Sequence, residues 1–480
     1  MGYSADKSGL EADRGSGRFG EHGASSEEAG LEMDRRRLMQ LVGGGVAALF
    51  LPACKGTGEG KGSDKKPVRP EALPPSYTLD ITTRPDIEVP TFRELPGEVV
   101  FPQPPGMEMP PEEFRKLCAK IVGQVVQLIS TELPSELAQA PAEVRSMQAR
   151  VFMSKLPPII MGSSSEAAGA MDHYFRNNNP DKPVARLRQL NRFLNPGGLY
   201  LTYSVEEQGD LNYINYKAYK INESGHLAVG SIDGDKDIIV LSVGEELVGL
   251  DTITPEVLGS KSVTCDHLIL HTPVINRNLQ RFSRLRNFGS NLRSSSEARL
   301  KADFVAAVRN HEAVHALNSI QFPKMGKRYE DPDQLEQLRV VEEIKIGSVA
   351  TDVISLGGLY HPASLDELCA AGAEIATAKD ASFKCILGCL DPSALGAEYQ
   401  LMNKVLAVAL LLVAPDCPQK ATIQAQFGSP SGWRAGDLRP YALLAQLVAN
   451  PPFSAEHAKQ VGEILYKVGY LLMEKMEKGE

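Results

Sequence analysis

Two histidines one helical turn apart, His311 and His315, flank Glu312 in the run His311-Glu312-Ala313-Val314-His315. Residues four apart lie on one face of an α-helix, so both imidazoles can bind one tetrahedral metal ion. The glutamate can accept a proton from a metal-bound water, whose pKa the ion lowers to about 7. That water attacks an amide carbonyl, and the glutamate returns the proton to the leaving amine. The spacing therefore predicts a hydrolytic zinc site with Glu312 as general base.

The residues around this run have the pattern of a helix. Ser294 and Glu297 have the spacing of a capping box. Apolar residues then recur at helical intervals, and both histidines fall in the middle of that stripe: Leu300, Phe304, Ala307, Val308, His311, Val314 and His315. The histidines are expected to be buried, where imidazoles without partners are costly. The alternative is a pair of core histidines hydrogen-bonded to backbone, with Glu312 on the solvated side.

A third zinc ligand is expected on a later element, because two histidines alone do not hold a catalytic zinc ion. The pattern from 335 to 355 predicts a second helix that carries Glu342 and Glu343. Glu342 is central on the apolar stripe of this helix. Glu343 lies on its border beside Gly347 and Ala350, whose small side chains would let the two helices approach closely. These arguments point to different glutamates, and both could be ordinary surface acids.

These motifs resemble those of the gluzincin metallopeptidases, the class that contains thermolysin, in which a glutamate on the next helix follows the two histidines. The run Glu342-Glu343-Ile344-Lys345 also resembles the glutamate helix of the dipeptidyl peptidase type three family. That resemblance implies Glu343 as the third ligand and Glu342 as a residue that orients a ligand histidine. The histidine motif of that family carries an extra residue, so the resemblance is to the gluzincin pattern as a class.

Two other pairs of polar residues are candidates for the site. Tyr360 and His361 follow a glycine pair and could donate hydrogen bonds to the oxyanion opposite Glu312, although a plain loop is the alternative. His267 and His271 share one face of a predicted strand. They are candidates for lining the cleft or for a second metal site, but no glutamate lies between them in a helical context.

The run Asp34-Arg35-Arg36-Arg37-Leu38-Met39, just after Met33, resembles a twin-arginine export signal. The apolar run 41–51 that follows it is too short for an ordinary membrane-spanning helix but suits the core of a signal peptide. The sequence Leu51-Pro52-Ala53-Cys54 resembles the lipobox of bacterial lipoproteins. Leu38 and Pro52 depart from the preferred residues, so the general secretory route and an uncleaved anchor stay open. The resemblance implies lipidation at Cys54 and attachment to a bacterial membrane, facing the periplasm or the cell surface.

The chain divides into segments of different composition. They are 1–53, a leader whose true start could be Met33; 54–111, a proline-rich tether; 112–193, helical; 194–285, β-rich; 286–360, the zinc-site helices; and 361–480, helical. The part 78–89 of the tether could still pack on the body as an edge strand. Strand patterns separated by tight turns in the β-rich segment predict a mostly antiparallel sheet. The predicted fold class is α+β, with this sheet packed on a zincin-like active-site helix and a helical C-terminal region after it.

Composition sets limits on partners and redox state. A chain of 480 residues with 42% apolar residues can bury a large core. The net charge of −9 is spread without a basic stripe, so we expect no nucleic acid partner. Besides Cys54 there are six cysteines, which outside the cytoplasm permit disulfides: 118, 265, 369, 385, 389 and 417. Cys385 and Cys389 would each pair with Cys369 or Cys417, and without export all six could be buried thiols.

Together the patterns predict an exported lipoprotein with a zinc-dependent hydrolase domain, a metallopeptidase that cleaves peptide or protein substrates. The zinc site would consist of His311, His315 and Glu343. Glu312 would be the general base, and Glu342 would orient a ligand histidine. Two alternatives stay open. One is a non-catalytic lipoprotein binding module on a zincin scaffold. The other is an amidase acting on cell-wall material, which the same water chemistry would serve.

Overall fold

The computed structural model describes part of the chain, and every structural statement below refers to that part. The described residues are 78–177, 183–208, 211–230, 234–249, 258–261, 267–285, 287–293, 295–324, 338–340, 343–345, 353–355, 358–360, 362–390, 397–433 and 437–478. The export signal and Cys54 lie outside these ranges. Within them, no helix combines the length and the apolar character that crossing a membrane requires.

A six-stranded sheet lies at the centre of the fold. Its order is β2-β4-β5-β7-β6, with β3 paired to β4, and only the β5–β7 pair is parallel. The strands are β2 (Thr91–Leu95), β3 (Leu199–Gln208), β4 (Leu211–Gly230), β5 (Lys236–Gly249), β6 (Gly259–Lys261) and β7 (Leu268–His271). The prediction of a mostly antiparallel sheet in an α+β fold is confirmed.

The two faces of this sheet pack against different cores, because successive side chains of a strand point to opposite faces. Leu268 and Leu270 of β7 belong to the main core, together with Phe304 and Val308 of the histidine helix. Ile269 between them belongs to a separate cluster on the other face. The histidine helix therefore packs on one face of the sheet only.

The N-terminal helices form a core of their own against β3 and β4. They are α1 (Pro111–Glu132), α2 (Ala142–Met161), α3 (Ser165–Asn177) and α4 (Pro183–Leu194). Both α1 and α4 begin with proline, whose missing N–H costs nothing in the first turn of a helix. Phe152, Leu190 and Leu201 are among the residues buried in this core.

The remaining helices follow strand β7 in the chain. They are α5 (Thr272–Leu285), α6 (Glu297–Gln321), α7 (Pro362–Thr377), α8 (Ser382–Cys389), α9 (Ala397–Val413), α10 (Pro418–Phe427), α11 (Arg439–Ala449) and α12 (Ala455–Lys478). Helix α7 lies between α6 and α12. Gly372 of α7 meets α12 so closely that an added Cβ would lie 2.4 Å from the backbone nitrogen of Tyr466. This contact fixes α7 in the core.

The predicted helix from 335 to 355 was wrong. The described residues of this segment form strands β8 (Leu338–Val340), β9 (Glu343–Lys345) and β10 (Val353–Ser355), and β11 (Gly358–Tyr360) follows. Strand β9 pairs with β10 and with β1 (Thr78–Asp80), and β8 pairs with β11. The β-branched residues of the segment fit strands as well as helices, and pairing with distant β1 decides between them.

Further local expectations can be compared with the structure. Helix α6 is capped by Ser296, whose hydroxyl accepts from the backbone N–H of Arg299, and not by Ser294, which lies outside the described residues. Strands β1 and β2 lie in the proline-rich segment and pair with β9 and β4, which for 78–89 is the option that the sequence left open. The five described cysteines, at 118, 369, 385, 389 and 417, are free thiols, and the expected disulfides among them are not formed.

Candidate metal centre

Helix α6 carries both histidines into the interior. Every residue from Asn310 to Asn318 is buried, because strands β6 and β7 cover one side of the helix and α7 covers the other. The residues His311, Glu312 and His315 are 6%, 1% and 4% exposed. The amphipathic pattern placed the histidines correctly in the core, whereas Glu312 is buried as well and does not face solvent.

Helix α7 brings carboxylates to the two imidazoles. Asp366 and Glu367 are buried in its first half, and Glu374 follows two turns later on the same face. The neighbours of these acids are almost all apolar or small, so the helix is a core element that carries charge. Buried carboxylates without partners are expensive, and these three all contact the histidines of α6.

The ligand atoms of three side chains converge on one point. The Nε2 atoms of His311 and His315 lie 3.1 Å apart. The Glu367 carboxylate lies 3.5 Å from His311 Nε2 and 3.7 Å from His315 Nε2. Tetrahedral zinc with Zn–N bonds of 2.0–2.1 Å places two nitrogen ligands about 3.3 Å apart. The three residues therefore form a buried group that can hold a metal ion.

A second layer of carboxylates holds the far side of each imidazole. Glu374 Oε2 lies 3.0 Å from His311 Nδ1. Asp366 Oδ2 lies 2.8 Å from His315 Nδ1, short but off the ideal hydrogen-bond line. Asn318 in turn donates its side-chain N–H to Asp366 Oδ1 at 2.7 Å. Histidines that bind metals usually have such a carboxylate on the other ring nitrogen, which fixes the tautomer and the ring orientation.

This layer determines what the centre can accept. Each Nδ1 faces a carboxylate and is therefore the protonated nitrogen of a neutral ring. Both Nε2 lone pairs then point at each other, and the carboxylate of Glu367 adds further acceptors. A group of acceptors at this separation is repulsive unless a cation, either a metal ion or an extra proton, lies among them.

The pKa values of the histidines and of Glu374 also indicate that these acceptors need a cation. Burial lowers the pKa of His311, but hydrogen bonds to Glu367 and Glu374 outweigh burial and hold it well above the usual value. Burial also opposes the charged form of His315, and the charges of Asp366 and Glu367 raise its pKa overall. Burial acts to raise the pKa of Glu374, yet the hydrogen bond from His311 holds it below the ordinary value. In the metal-free protein the site thus favours bound protons.

Glu312 lies against β6, the strand at one edge of the central sheet. A Cβ added to Gly259 of β6 would be 2.8 Å from Cγ and 3.2 Å from Oε1 of Glu312. Glycine is therefore required where the strand passes the carboxylate, because any side chain would push one of them away. The carboxyl group that the sequence predicts as general base thus lies between the histidine helix and a strand.

A buried lysine lies behind the second layer. Lys384 of α8 donates to Asn278 Oδ1 at 2.6 Å, and its amine is 3.5 Å from the centre of the Phe304 ring. Burial lowers the pKa of Lys384 to about 8, although Cys385 and Glu374 act in the opposite direction. The lysine supplies positive charge near Glu374, which balances part of the negative charge around the histidines.

The other residues predicted for the site are only partly described. Glu343 has strand backbone in β9 and Tyr360 in β11, but their side chains lie outside the described part, as do Glu342, His361 and Cys54. Their assigned roles stay predictions. His267 and His271 have the same parity as Ile269, which places both on the face of the sheet away from α6.

Sequence reasoning missed Asp366, Glu367 and Glu374. A signal was present, because α7 reads as an apolar helix interrupted by three acids, two of them seven residues apart on one face. The same argument had identified the histidines of α6. No family model, no curated protein and no solved structure matches the chain. The functional argument therefore rests on the geometry of the site and on the sequence motifs.

Proposed function

We propose that this protein is a metal-dependent hydrolase, a zinc metallopeptidase, with His311, His315 and Glu367 as ligands. The observation that carries the proposal is the convergence of two imidazole lone pairs and one carboxylate, each imidazole backed by a second carboxylate. Two histidines and a carboxylate are a ligand set of catalytic zinc sites, where the fourth position stays open. Glu367 takes the role that the sequence had given to Glu343.

Glu312 is the proposed general base and acid. It follows His311 directly on α6, and its buried carboxyl lies against β6. A zinc ion held by His311, His315 and Glu367 would activate a water and polarise the substrate carbonyl. The carboxylate of Glu312 would accept a proton from the attacking water and return it to the leaving amine. Asp366 and Glu374 hold the imidazoles in the tautomer that exposes Nε2.

The order of these parts supports a peptidase of gluzincin type. Two histidines on one helix and a glutamate on a later helix match the resemblance drawn from the sequence, with Glu367 as that glutamate. A short strand, β6, passes beside Glu312, and an extended peptide can pair with a strand next to the reacting groups. The lipobox resemblance at Cys54 adds the proposal of an exported, membrane-anchored enzyme that acts on peptides or proteins.

The test is the metal content of the purified protein after reconstitution with zinc. We expect about one zinc ion per chain in the wild type. Glu367→Gln should weaken zinc binding strongly, because the amide keeps the size of the side chain but removes the ligand charge. Glu343→Gln is the matched control from the sequence-based prediction and should bind zinc like the wild type. Circular dichroism of all proteins checks that they are folded.

The result has two ways to contradict the assignment. Full zinc content in folded Glu367→Gln together with loss of zinc in Glu343→Gln would mean that Glu343 of β9 is the third ligand. A wild type that binds no zinc, and no other divalent transition metal, would remove the hydrolase mechanism and leave a binding protein as the better interpretation.

A further inference from the structure

Lys384 is a buried lysine near the metal centre that the proposed mechanism does not use. The residue is 8% exposed. Its amine donates to Oδ1 of Asn278 at 2.6 Å and lies 3.5 Å from the centre of the Phe304 ring. Both of these partners are uncharged, and within the described part of the chain the amine forms no ion pair with a carboxylate. A buried cation in such surroundings costs free energy, which a cation–π contact offsets only in part.

The position of Lys384 within its helix adds to this cost. Lys384 is the third residue of α8, in the first turn, where the helix dipole disfavours a cation. Burial lowers the pKa of Lys384 only to about 8, so the amine stays mostly protonated at pH 7. A buried charge at an unfavourable position of its own helix indicates a role in the surroundings of that helix.

Two observations connect this charge to the metal centre. Phe304, which lies under the amine, precedes His311 by seven residues, which is two turns along the same face of α6 and about 10 Å along its axis. Glu374 is the second connection. Burial acts to raise the pKa of Glu374, but the hydrogen bond from His311 and, more weakly, the charge of Lys384 hold it below the ordinary value. The lysine thus acts on the carboxylate that holds the imidazole of His311.

We propose that Lys384 lowers the affinity of the two histidines and Glu367 for a divalent cation, because its buried positive charge repels the ion. Repulsion over roughly 10 Å persists in the interior, where little water or salt screens it. An ion whose charge is less fully neutralised also polarises a substrate carbonyl more strongly. The inference rests on the metal site of the proposed function and does not depend on hydrolysis.

A purely structural role for Lys384 predicts the opposite result. If the lysine only linked α5, α6 and α8 through Asn278 and Phe304, its loss would disturb the ligands and weaken metal binding. If its charge repels the ion, a neutral side chain of similar length should strengthen metal binding. The direction of the change in affinity therefore separates the two roles.

The experiment measures the zinc affinity of the full chain at pH 7 by competition with a chelator. Lys384→Met keeps the length of the side chain without its charge, and Lys384→Gln also keeps an N–H donor for Asn278. We expect both variants to bind zinc about tenfold more tightly than the wild type. Lys384→Arg keeps the charge and should show no such gain. Lys379→Met, at an exposed lysine before α8, is the matched control and should bind like the wild type, because water screens that charge.

Cobalt in place of zinc reports the geometry of the ligands, because the visible absorption of Co²⁺ depends on their number and arrangement. The cobalt spectra of the wild type, Lys384→Met and Lys384→Gln should coincide. An altered spectrum, or weaker binding in the neutral variants, would overturn the proposal, because the lysine would then act by packing. Unchanged affinity in both neutral variants, with metal bound to the wild type, would overturn it and leave the proposed hydrolase standing. A wild type that binds no metal would overturn both.

Discussion

The two faces of the central sheet differ in how their buried polar groups are satisfied. On one face, α6 and α7 bury two histidines and the carboxylates of Asp366 and Glu367, with Glu374 half-buried beside them. On the other, the buried amide of Asn191 on α4 is paired within the fold, because it bonds both the N–H and the carbonyl of Leu201. The first group consists of acceptors that converge on one point and needs a cation, whereas the amide of Asn191 is satisfied by the backbone. The comparison teaches that converging buried acceptors indicate the charge of the ligand that they can hold.

The largest expected effect is on the face with the acceptors. Glu312→Gln should reduce hydrolysis of a mixed peptide library by roughly 10²–10⁴-fold, because the amide cannot take a proton from water. Zinc content should be unchanged, since Glu312 is not a ligand. Retained hydrolysis in this variant would mean that another group is the base. Loss of zinc together with activity would mean that Glu312 binds the ion.

A smaller effect should follow from a change in a residue that orients a proposed ligand histidine. Asp366→Asn removes the charge that faces His315 Nδ1 and should weaken zinc affinity by roughly 10–100-fold, measured by competition with a chelator. Asp172→Asn, a change of the same kind at a residue of α3 that pairs with Arg176, should leave the affinity as it is. Unchanged zinc affinity in Asp366→Asn would show that α7 orients His315 by packing alone.

The smallest expected effect is a pH dependence of the stabilisation by metal. The pKa values of His311 and His315 are raised in the metal-free fold, so their contribution to stability is complete below the unfolded value of about 6.5 and is lost as the pH rises through the raised values. The pKa of Glu374 is lowered, so the contribution of Glu374 to stability is lost only at acidic pH, as the pH falls through that pKa. Zinc requires neutral imidazoles and binds better as the pH rises.

The difference in melting temperature between the zinc-loaded and the chelator-treated protein should therefore grow by several degrees from pH 6 to pH 8. Differential scanning calorimetry at both pH values measures it, with the exposed variant Asp172→Asn as the control. A difference that stays constant or shrinks with rising pH would contradict the assignment of protonated histidines to the metal-free site.

Local patterns were sufficient to place helix α6. The recurrence of apolar residues around His311 and His315 depends only on the helical period, and that period sets which side chains are buried. The cap at Ser296 was missed by two residues, because Ser294 has the capping-box spacing to Glu297, whereas Arg299 is the third residue after Ser296. The α+β class could also be predicted, since the strand patterns precede long helical ones.

The segment that contains Glu342 and Glu343 could not be assigned from its own residues. Its apolar residues fit a helix by period, yet the structure places the described residues of the segment in strands of three residues each. Strand β9 forms by pairing with β1, which lies 265 positions earlier in the register of Asp80 with Lys345. A pairing over that distance in the chain leaves no mark in the local pattern.

The sequence by itself determined the relative positions of the two candidate ligands and of the proposed base, because one turn of a helix relates His311, Glu312 and His315 whatever surrounds them. Only the tertiary structure decided that Glu367 completes the group and that Asp366 and Glu374 hold the imidazoles. These acids are on α7, more than fifty residues after His315. They reach the histidines because α7 packs between α6 and α12, with a close contact to α12 at Gly372. Packing sets the distance between two helices, and the sequence of one helix alone does not specify how the other packs on it.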